Sequence, residues 1–385
     1  MQYLPYGKQN ISEDDIAAVV EILRSDWLTQ GPMVEKFEQA LCQYCGSQFS
    51  RVVGNATAAL HLAYLALGVT AGDTVWTSPN TFLSTANTAL MCGAKIDFVD
   101  ICPKTYNMSV VALEDKLITA KKNNQLPKVI VPVHFAGQSC DMKRIYELSR
   151  EYGFRIVEDA AHAIGGKYLD KPIGSCQYSD ITIFSFHPVK VITTGEGGAL
   201  LTNDSSLSEK IALLRTHGMT RDKNLMDKES EGPWYYQMLG LGFNYRLTDI
   251  QCALGLSQIQ RLDQFVSKRH KIKNSYDNLL ASITEIRLPY QGQDSYSALH
   301  LYPIQVSAKI RKKVFEYLRT NDIGVNVHYI PVHTQPYYRD KFGFSWGDFP
   351  NAENYYKQAI SLPLFPGLNE NDQYRVVQAL QEALN

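Results

Sequence analysis

No stretch of this 385-residue chain holds the consecutive apolar residues, roughly 20, that a membrane helix needs. The N-terminal run MQYLPYGKQNISEDD has no basic segment followed by an apolar one, so it does not read as a secretory leader. A surplus of either charge is also missing. There are 38 Lys and Arg against 39 Asp and Glu, mixed along the chain, for a net charge of −1. That balance gives neither a nucleic-acid stripe nor a polybasic membrane patch. These absences predict a cytoplasmic protein with no nucleic-acid and no membrane partner. The seven cysteines are odd in number and scattered, which argues against a disulfide framework. Cys42 and Cys45 form a lone C-x-x-C inside an amphipathic helical pattern, so neither redox nor zinc chemistry is expected there. No G-x-x-x-x-G-K-[ST] loop occurs, Gly195-Glu196-Gly197-Gly198 lacks the spacing of a dinucleotide site, and no H-E-x-x-H or comparable pattern offers a metal site. Internal repeats and low-complexity tracts are absent.

What the chain does have is ordinary globular composition, 45% hydrophobic and 20% charged, at a length suited to two domains. Short apolar strands alternate with helices from Phe49 onward: a strand to Val53, a helix to about Leu67, and strands at 74–77, 95–100, 128–133 and 154–158 with helical patterns between them. This alternation predicts an α/β fold with a mainly parallel sheet covered on both faces. A long helix is expected from Asp249 past Leu262, running to Leu280. It would link a large domain, residues 1–255, to a smaller C-terminal α/β domain, residues 256–385, in which VNVHYIP reads as strand-like. Residues 220–238, with Trp234, Tyr235 and Tyr236, read as a loop near a site or an interface. In a parallel sheet, ligands bind beyond the C-terminal strand ends. Thr57, Phe82, His134, Asp159 and His162 all fall there.

The most unusual stretch is ITIFSFHPVKVITTGEGG, residues 181–198. It reads as a strand, a break at His187-Pro188, a single lysine, a second short strand and a glycine-rich turn. Lys190 sits between apolar β-branched runs, where desolvation lowers an amine's pKa and makes it nucleophilic. With Asp159, 31 residues earlier, it suggests a pyridoxal phosphate site. Such a site needs a lysine for the Schiff base, a carboxylate for the pyridine nitrogen, a phosphate cradle and a flat stacking group. Lys190 and Asp159 supply the first two. The strand–turn–helix at Gly54–Thr57, with Ser185, offers phosphate donors. Phe82 offers the stacking face, and His162 a hydrogen bond to the cofactor's phenolic oxygen.

At this point the chain resembles the DegT/StrS-type sugar aminotransferases. The motifs are WLTQGP (27–32), NATAAL (55–60), TSPNTF (77–82), EDAAHA (158–163), FSFHPVK (184–190), TTGEGGA (193–199), FNYRLTD (243–249), VHYIP (327–331) and SLPLFPGL (361–368), all in order over nearly the whole chain. The resemblance implies the fold-type-I pyridoxal phosphate architecture, with a seven-stranded sheet. It implies pyridoxal 5′-phosphate, with pyridoxamine 5′-phosphate as its aminated form, and a homodimer whose site is shared across the interface. By the same resemblance Lys190 is the Schiff-base lysine, Asp159 the pyridine-nitrogen partner and His162 the neighbour of the phenolic oxygen. Ala56, Thr57 and Ser185 bind phosphate, and Asn244 reaches the phosphate of the neighbouring subunit's cofactor.

FSFHPVK, NATAAL and NYRLTD are most similar to the branch that serves pseudaminic acid synthesis. Its members move an amino group from L-glutamate to C4 of a UDP-linked 4-keto-6-deoxy-N-acetyl sugar. Tyr6, Asp26, Trp27, Leu28, Thr29, His328, Tyr329, Ile330 and Pro331 would then line the nucleotide-sugar site, with Ala56, Ser185, Lys190 and Asn244 also touching substrate. The nearest rival is the UDP-4-amino-4-deoxy-L-arabinose branch, which shares an FSFH-x-x-K segment; a dTDP-keto-sugar aminotransferase is a further alternative. Many family members carry Gly-Thr where this chain has Ala56-Thr57, a departure that both leading branches share. A sugar 3-dehydratase is disfavoured, because known dehydratases of the family have histidine where Lys190 stands.

Overall fold

A computed structural model describes residues 2–384. Its centre is a seven-stranded sheet. In chain order the strands are β1 (Phe49–Val53), β2 (Thr74–Thr77), β3 (Lys95–Phe98), β4 (Val129–Val131), β5 (Arg155–Asp159), β6 (Ile181–Ser185) and β7 (Gly198–Thr202). Their order across the sheet is β1-β7-β6-β5-β4-β2-β3. Five strands from β6 to β3 run parallel, while β7 is antiparallel to both β1 and β6. The sheet is therefore mainly parallel, and residues of β4 to β7 are almost wholly buried, as expected of strands covered on both faces.

The helices that position the site follow their caps. α1 (Glu13–Leu23) opens on a capping box, with Ser12 and Asp15 exchanging backbone and side-chain bonds. α2 (Pro32–Cys45) starts at Gly31 and ends at Gly46 in the left-handed conformation. α3 (Ala56–Ala66) is capped by the Asn55 side chain, which takes the Ala58 N–H at 2.8 Å. Its five alanines among apolar and aromatic neighbours let it lie close against the sheet, and eight of its eleven residues are buried, so little of it faces solvent. α4 (Leu83–Met91) follows β2.

Three sequence expectations need correction. The segment after Lys190 is not a second strand. Residues 191–194 are buried but fold back on one residue, Phe186, whose carbonyl accepts from Thr194 N–H at 3.0 Å and Thr193 Oγ1 at 2.9 Å. Phe186 N–H in turn donates to Gly197 O at 2.8 Å, so the backbone groups are satisfied by a closed loop instead of a ladder. The long helix is also two helices, Asp249–Ile259 and Leu262–Leu280. The break falls at Gln260-Arg261, where the Arg261 guanidinium is drawn to Asn10 and to the buried carboxylate of Asp15 at the other end of the chain. The VNVHYIP segment contributes only an isolated bridge, Asn326 with Ser361.

The later residues pack around a separate apolar cluster. It joins the Leu262–Leu280 helix, an antiparallel pair (Tyr302–Gln305 with Ala359–Leu362) and the helices Arg311–Thr320 and Glu370–Leu384. Among the described residues, no helix is long and apolar enough to cross a membrane. All seven thiols are unpaired, and Cys45 lies in the apolar core under α2.

Candidate active site

Three strand ends and two loops meet at one edge of the sheet. Asp159 closes β5 and is buried. Its Oδ1 accepts the Ala161 N–H at 3.1 Å, and its Oδ2 accepts the Thr85 hydroxyl at 2.7 Å. Thr85 is itself held by Thr81 Oγ1 at 2.8 Å. The carboxylate is thus fixed in direction without a cation on either oxygen. Lys190 follows the turn His187–Lys190, closed by a 2.9 Å bond from Lys190 N–H to His187 O. Pro188 stands at the second position of that turn, where its fixed φ favours the geometry. Lys190 is half-buried. Desolvation pulls its amine down to about 8, and the Asp159 carboxylate works against that fall.

The turn that the sequence offers for phosphate is built where β1, β7 and α3 converge. Asn55 spends its side chain on Ala58, so the N–H groups of Ala56 and Thr57 in the first turn project along the helix axis, an anion-binding geometry. Ser185 ends β6, paired with Gly198 of β7. Gly198 is required by close approach: a Cβ there would come within 2.7 Å of Ala56 N and of Asn55 C. This packing seats the α3 turn beside Ser185.

The opposite wall is aromatic. Phe82, at the start of α4, is 59% exposed, so it is no core residue. The loop carrying it is pinned to the 329–332 segment by Tyr329 N–H to Asn80 Oδ1 (3.2 Å) and Val332 N–H to Pro79 O (2.9 Å). Phe82 stands 6.3 Å from the Tyr329 ring. His162 is buried between Tyr329 and His300, whose ring centroid lies 4.4 Å away. Ala136 N–H donates to His162 Nδ1 at 3.3 Å, so the neutral ring carries its hydrogen on Nε2, 3.0 Å from the Tyr329 oxygen. Both nitrogens therefore have partners already, and a contact to a cofactor oxygen requires Tyr329 to give way. Burial, then the Lys190 and His328 charges, hold His162 well below the usual histidine range. His328 is pushed down to about 3 by burial and by Lys190, and its Nδ1 meets Ser361 Oγ at 2.8 Å. Tyr6 packs on the His328 ring at 5.4 Å, and its neighbour Gly7 lies against Val189.

The structure thus brings Asp159, Lys190, His162, His328, Tyr329, Phe82 and Tyr6 together, with Ala56, Thr57 and Ser185 at the adjoining strand ends. Ile330 is exposed and Pro331 follows it in the same loop. Residues Asp26, Trp27, Leu28 and Thr29 lie in an exposed loop tied to Thr248 and Asp249 by the Thr29–Thr248 bridge and by Asp249 N–H to Leu28 O at 3.1 Å. Asn244 is exposed on an antiparallel bridge with Thr216. His134 is excluded from the cleft. It is fully buried and its Nε2 lies 2.6 Å from Glu158. Alternate residues of a strand face opposite sides, so the pair sits across the sheet from Asp159. Burial disfavours the Glu158 carboxylate, but His134, Ser179 and Thr182 outweigh it and hold its pKa below the usual range. Thr85 and His300 carry no sequence signal, and Asp249 is marked only as the last residue of FNYRLTD and the start of a helix. A separate cavity of about 340 Å³ opens where Arg155 and Asp180, paired at 2.9 Å, begin β5 and precede β6, at the far ends of those strands from Asp159 and Ser185.

The donor set fits pyridoxal phosphate: a directed, buried carboxylate, a half-buried amine, a helix N-terminus with a neighbouring hydroxyl, and an exposed aromatic face. A pH test of the amine follows. Above about 8 the folded amine has lost a proton that the unfolded chain keeps to about 10.5, so this lysine makes the fold more stable as pH rises between those values. Labelling of the cofactor-free protein with trinitrobenzene sulfonate, mapped by peptide mass, should show Lys190 reacting with a midpoint near pH 8. A midpoint above 10 would remove the desolvated amine from the account.

A family model described as the DegT/DnrJ/EryC1/StrS aminotransferase family matches residues 9–381. The Bacillus subtilis spore coat polysaccharide biosynthesis protein SpsC is 41% identical over 386 residues, 99% of this chain and 97% of that protein. The UDP-4-amino-4,6-dideoxy-N-acetyl-β-L-altrosamine transaminase of Campylobacter jejuni is 40% identical over 372 residues, 96% of this chain and 94% of that enzyme. Among solved structures, Helicobacter pylori PseC, an aminotransferase involved in pseudaminic acid biosynthesis, superposes with a TM-score of 0.91 at 31% identity, covering 99% of both chains.

Proposed function

The chain belongs to the DegT/DnrJ/EryC1/StrS aminotransferase family, and from that premise we propose its substrate: C4 of a UDP-linked 4-keto-6-deoxy-N-acetyl sugar, UDP-2-acetamido-2,6-dideoxy-β-L-arabino-hex-4-ulose, aminated at the expense of L-glutamate. The protein is a sugar aminotransferase, and its cofactor is pyridoxal 5′-phosphate. The observation that carries the chemistry is the buried Asp159 carboxylate, fixed by Thr85 Oγ1 at 2.7 Å and Ala161 N–H at 3.1 Å, near enough to the Lys190 amine for its charge to oppose the amine's desolvation. The sugar is supported by the 40% identity to the C. jejuni enzyme. The product would be the UDP-4-amino sugar of pseudaminic acid synthesis.

On this reading each residue has one task. Bound, the cofactor supplies an electron sink that lets a proton leave the carbon bearing the amino group. Lys190 Nζ takes that proton and returns it, and a pKa of about 8 suits both directions near neutral pH. Asp159 keeps the ring nitrogen's proton in place. Ala56, Thr57 and Ser185 hold the phosphate, and Phe82 covers one ring face. His162 and Tyr329 orient the phenolic side as neutral groups. Tyr6, the loop 26–29 and His328–Pro331 hold the nucleotide sugar.

Asn244 would complete the phosphate site of a second subunit. Support for that homodimer comes from exposed apolar residues close to it in sequence, among them Trp234 (71%), Met238 (63%) and Leu241 (77%). On the same reading residues 1–255 form the cofactor domain and 256–385 the smaller domain, and the helix break at Gln260-Arg261 lies near that boundary.

The deciding experiment offers the holoenzyme L-glutamate with a panel of 4-keto and 3-keto UDP and dTDP sugars, and determines product stereochemistry. The expected product carries its new amine at C4 of the UDP-linked N-acetyl sugar, with one equivalent of 2-oxoglutarate. Amination only of the 4-keto pentose moves the protein to the arabinose branch, and amination only of dTDP sugars overturns the UDP assignment.

A further inference from the structure

Asp249 is fully buried, yet among the described residues it meets no cation within salt-bridge distance. Its carboxylate is satisfied by backbone from the far end of the chain. Oδ2 accepts the Gly31 N–H at 2.7 Å and Oδ1 accepts the Met33 N–H at 3.0 Å. Its own N–H donates to Leu28 O at 3.1 Å, and Thr248 bridges Thr29. α2 starts at Gly31, which has no side chain to cap it, so Asp249 caps it from 218 residues away. The glycine is enforced by the same contact. A Cβ at residue 31 would lie 2.6 Å from Trp27 Cβ and 2.7 Å from Asp249 Oδ1. The other end of the loop is held locally, with Trp27 N–H donating to Ser25 Oγ at 3.2 Å. Between these clamps Trp27 and Leu28 stay about half exposed, at 55% and 47%.

The segment leading to Asp249 also touches the phosphate turn. Gly54 N–H donates to Tyr245 O at 2.9 Å, and Val53 bridges Arg246. One short stretch, 244–249, therefore registers the loop 26–31 against the α3 turn. We propose that Asp249 is a positioning residue for the nucleotide end of the substrate, holding Trp27–Thr29 at a fixed height above the phosphate turn. The proposal rests on the nucleotide-sugar reading above, which assigns the loop 26–29 to the nucleotide sugar and not to glutamate.

The carboxylate matters as an acceptor of two bonds. Asp249→Asn keeps size but turns one oxygen into an N–H donor that faces another N–H. That misplaces the loop without touching Lys190 or Asp159. Displacing a positioning element by about 1 Å costs about a hundredfold where the contact it sets is used. The test uses the two halves of transamination in the holoenzyme. Wild type, Asp249→Asn and Gly31→Ala are each mixed with glutamate alone, followed by the cofactor's visible band. Each, in its aminated form, is then mixed with the nucleotide sugar that wild type aminates. Affinity for UDP alone, or for the nucleoside diphosphate of that sugar, is read from Trp27 fluorescence against a Trp27→Phe control.

The expected result is a glutamate step within about twofold of wild type. The KM of the sugar step and the nucleotide dissociation constant should each rise about tenfold to a hundredfold in both variants. Equal slowing of both halves overturns the proposal, as does an unchanged KM. Loss of the folded state in both variants also overturns it, by reducing Asp249 to a structural cap. Failure of the substrate reading looks different: wild type itself then completes the glutamate step and aminates no nucleotide sugar.

Discussion

Lys190→Ala is expected to leave a folded protein with turnover reduced about 10⁴-fold or more and no visible band that responds to glutamate. No other amine is available to replace it: among the residues that meet at the cleft, the other nitrogen bases are His162, His328 and His300, each held far below neutral by burial. Those imidazoles are weak bases, and they are packed against Tyr329, Ser361 and each other. The fold should not suffer. A cation whose pKa is pulled down from 10.5 to about 8 costs stability below pH 8, and alanine removes that cost. The measurements are single-turnover kinetics, the absorbance spectrum with added cofactor, and the melting temperature. Turnover within tenfold of wild type would take Lys190 out of the mechanism.

Asp159→Asn should give the second largest effect, a fall in turnover of about 10²–10⁴-fold with little change in structure. The substitution keeps the Oδ1 acceptor for Ala161 N–H, and the Thr85 hydroxyl can turn to accept from the new amide. Only charge is lost. Two readouts separate that loss from misfolding. The cofactor's ring-nitrogen proton should be held less tightly, shifting the pH dependence of the visible band. The Lys190 labelling midpoint should fall below 8, because the Asp159 carboxylate is what raises it against desolvation. A midpoint that stays at 8 while activity falls would mean the two groups do not feel each other.

Much of this site was legible because the chemistry lies where a simple periodicity ends. The strands of a parallel sheet are short apolar runs, so their last residues can be counted off, and Asp159 and Ser185 stand there. Lys190 stood out as a charge between β-branched runs. The rest was hidden for physical reasons. The Val191–Thr194 run has strand composition, but its bonds go to Phe186 and to the adjoining Gly195-Glu196 turn, and composition does not say where bonds go. Thr85 looks like any helix threonine until Asp159 is placed beside it. His134 has the right position along its strand but the wrong face, because Glu158 claims it. Asp249 reads in sequence as the first-turn acid of a long helix, and its partners are amides of residues 218 and 216 positions away.

The antiparallel seventh strand has a consequence for how the protein is made. β1 pairs only with β7, so Phe49–Val53 leaves the ribosome long before Gly198–Thr202 exists. At roughly 5–20 residues per second that interval is about 7–30 s. For that time the nascent chain carries an apolar strand with both edges open, the kind of segment that recruits chaperones or aggregates. The phosphate turn waits for the same event, since Gly198 packs against Asn55 and Ala56. On the proposed reading of that turn, cofactor capture is a late step in biogenesis, and any nascent fragment ending before β7 lacks both a finished sheet and a packed α3 turn.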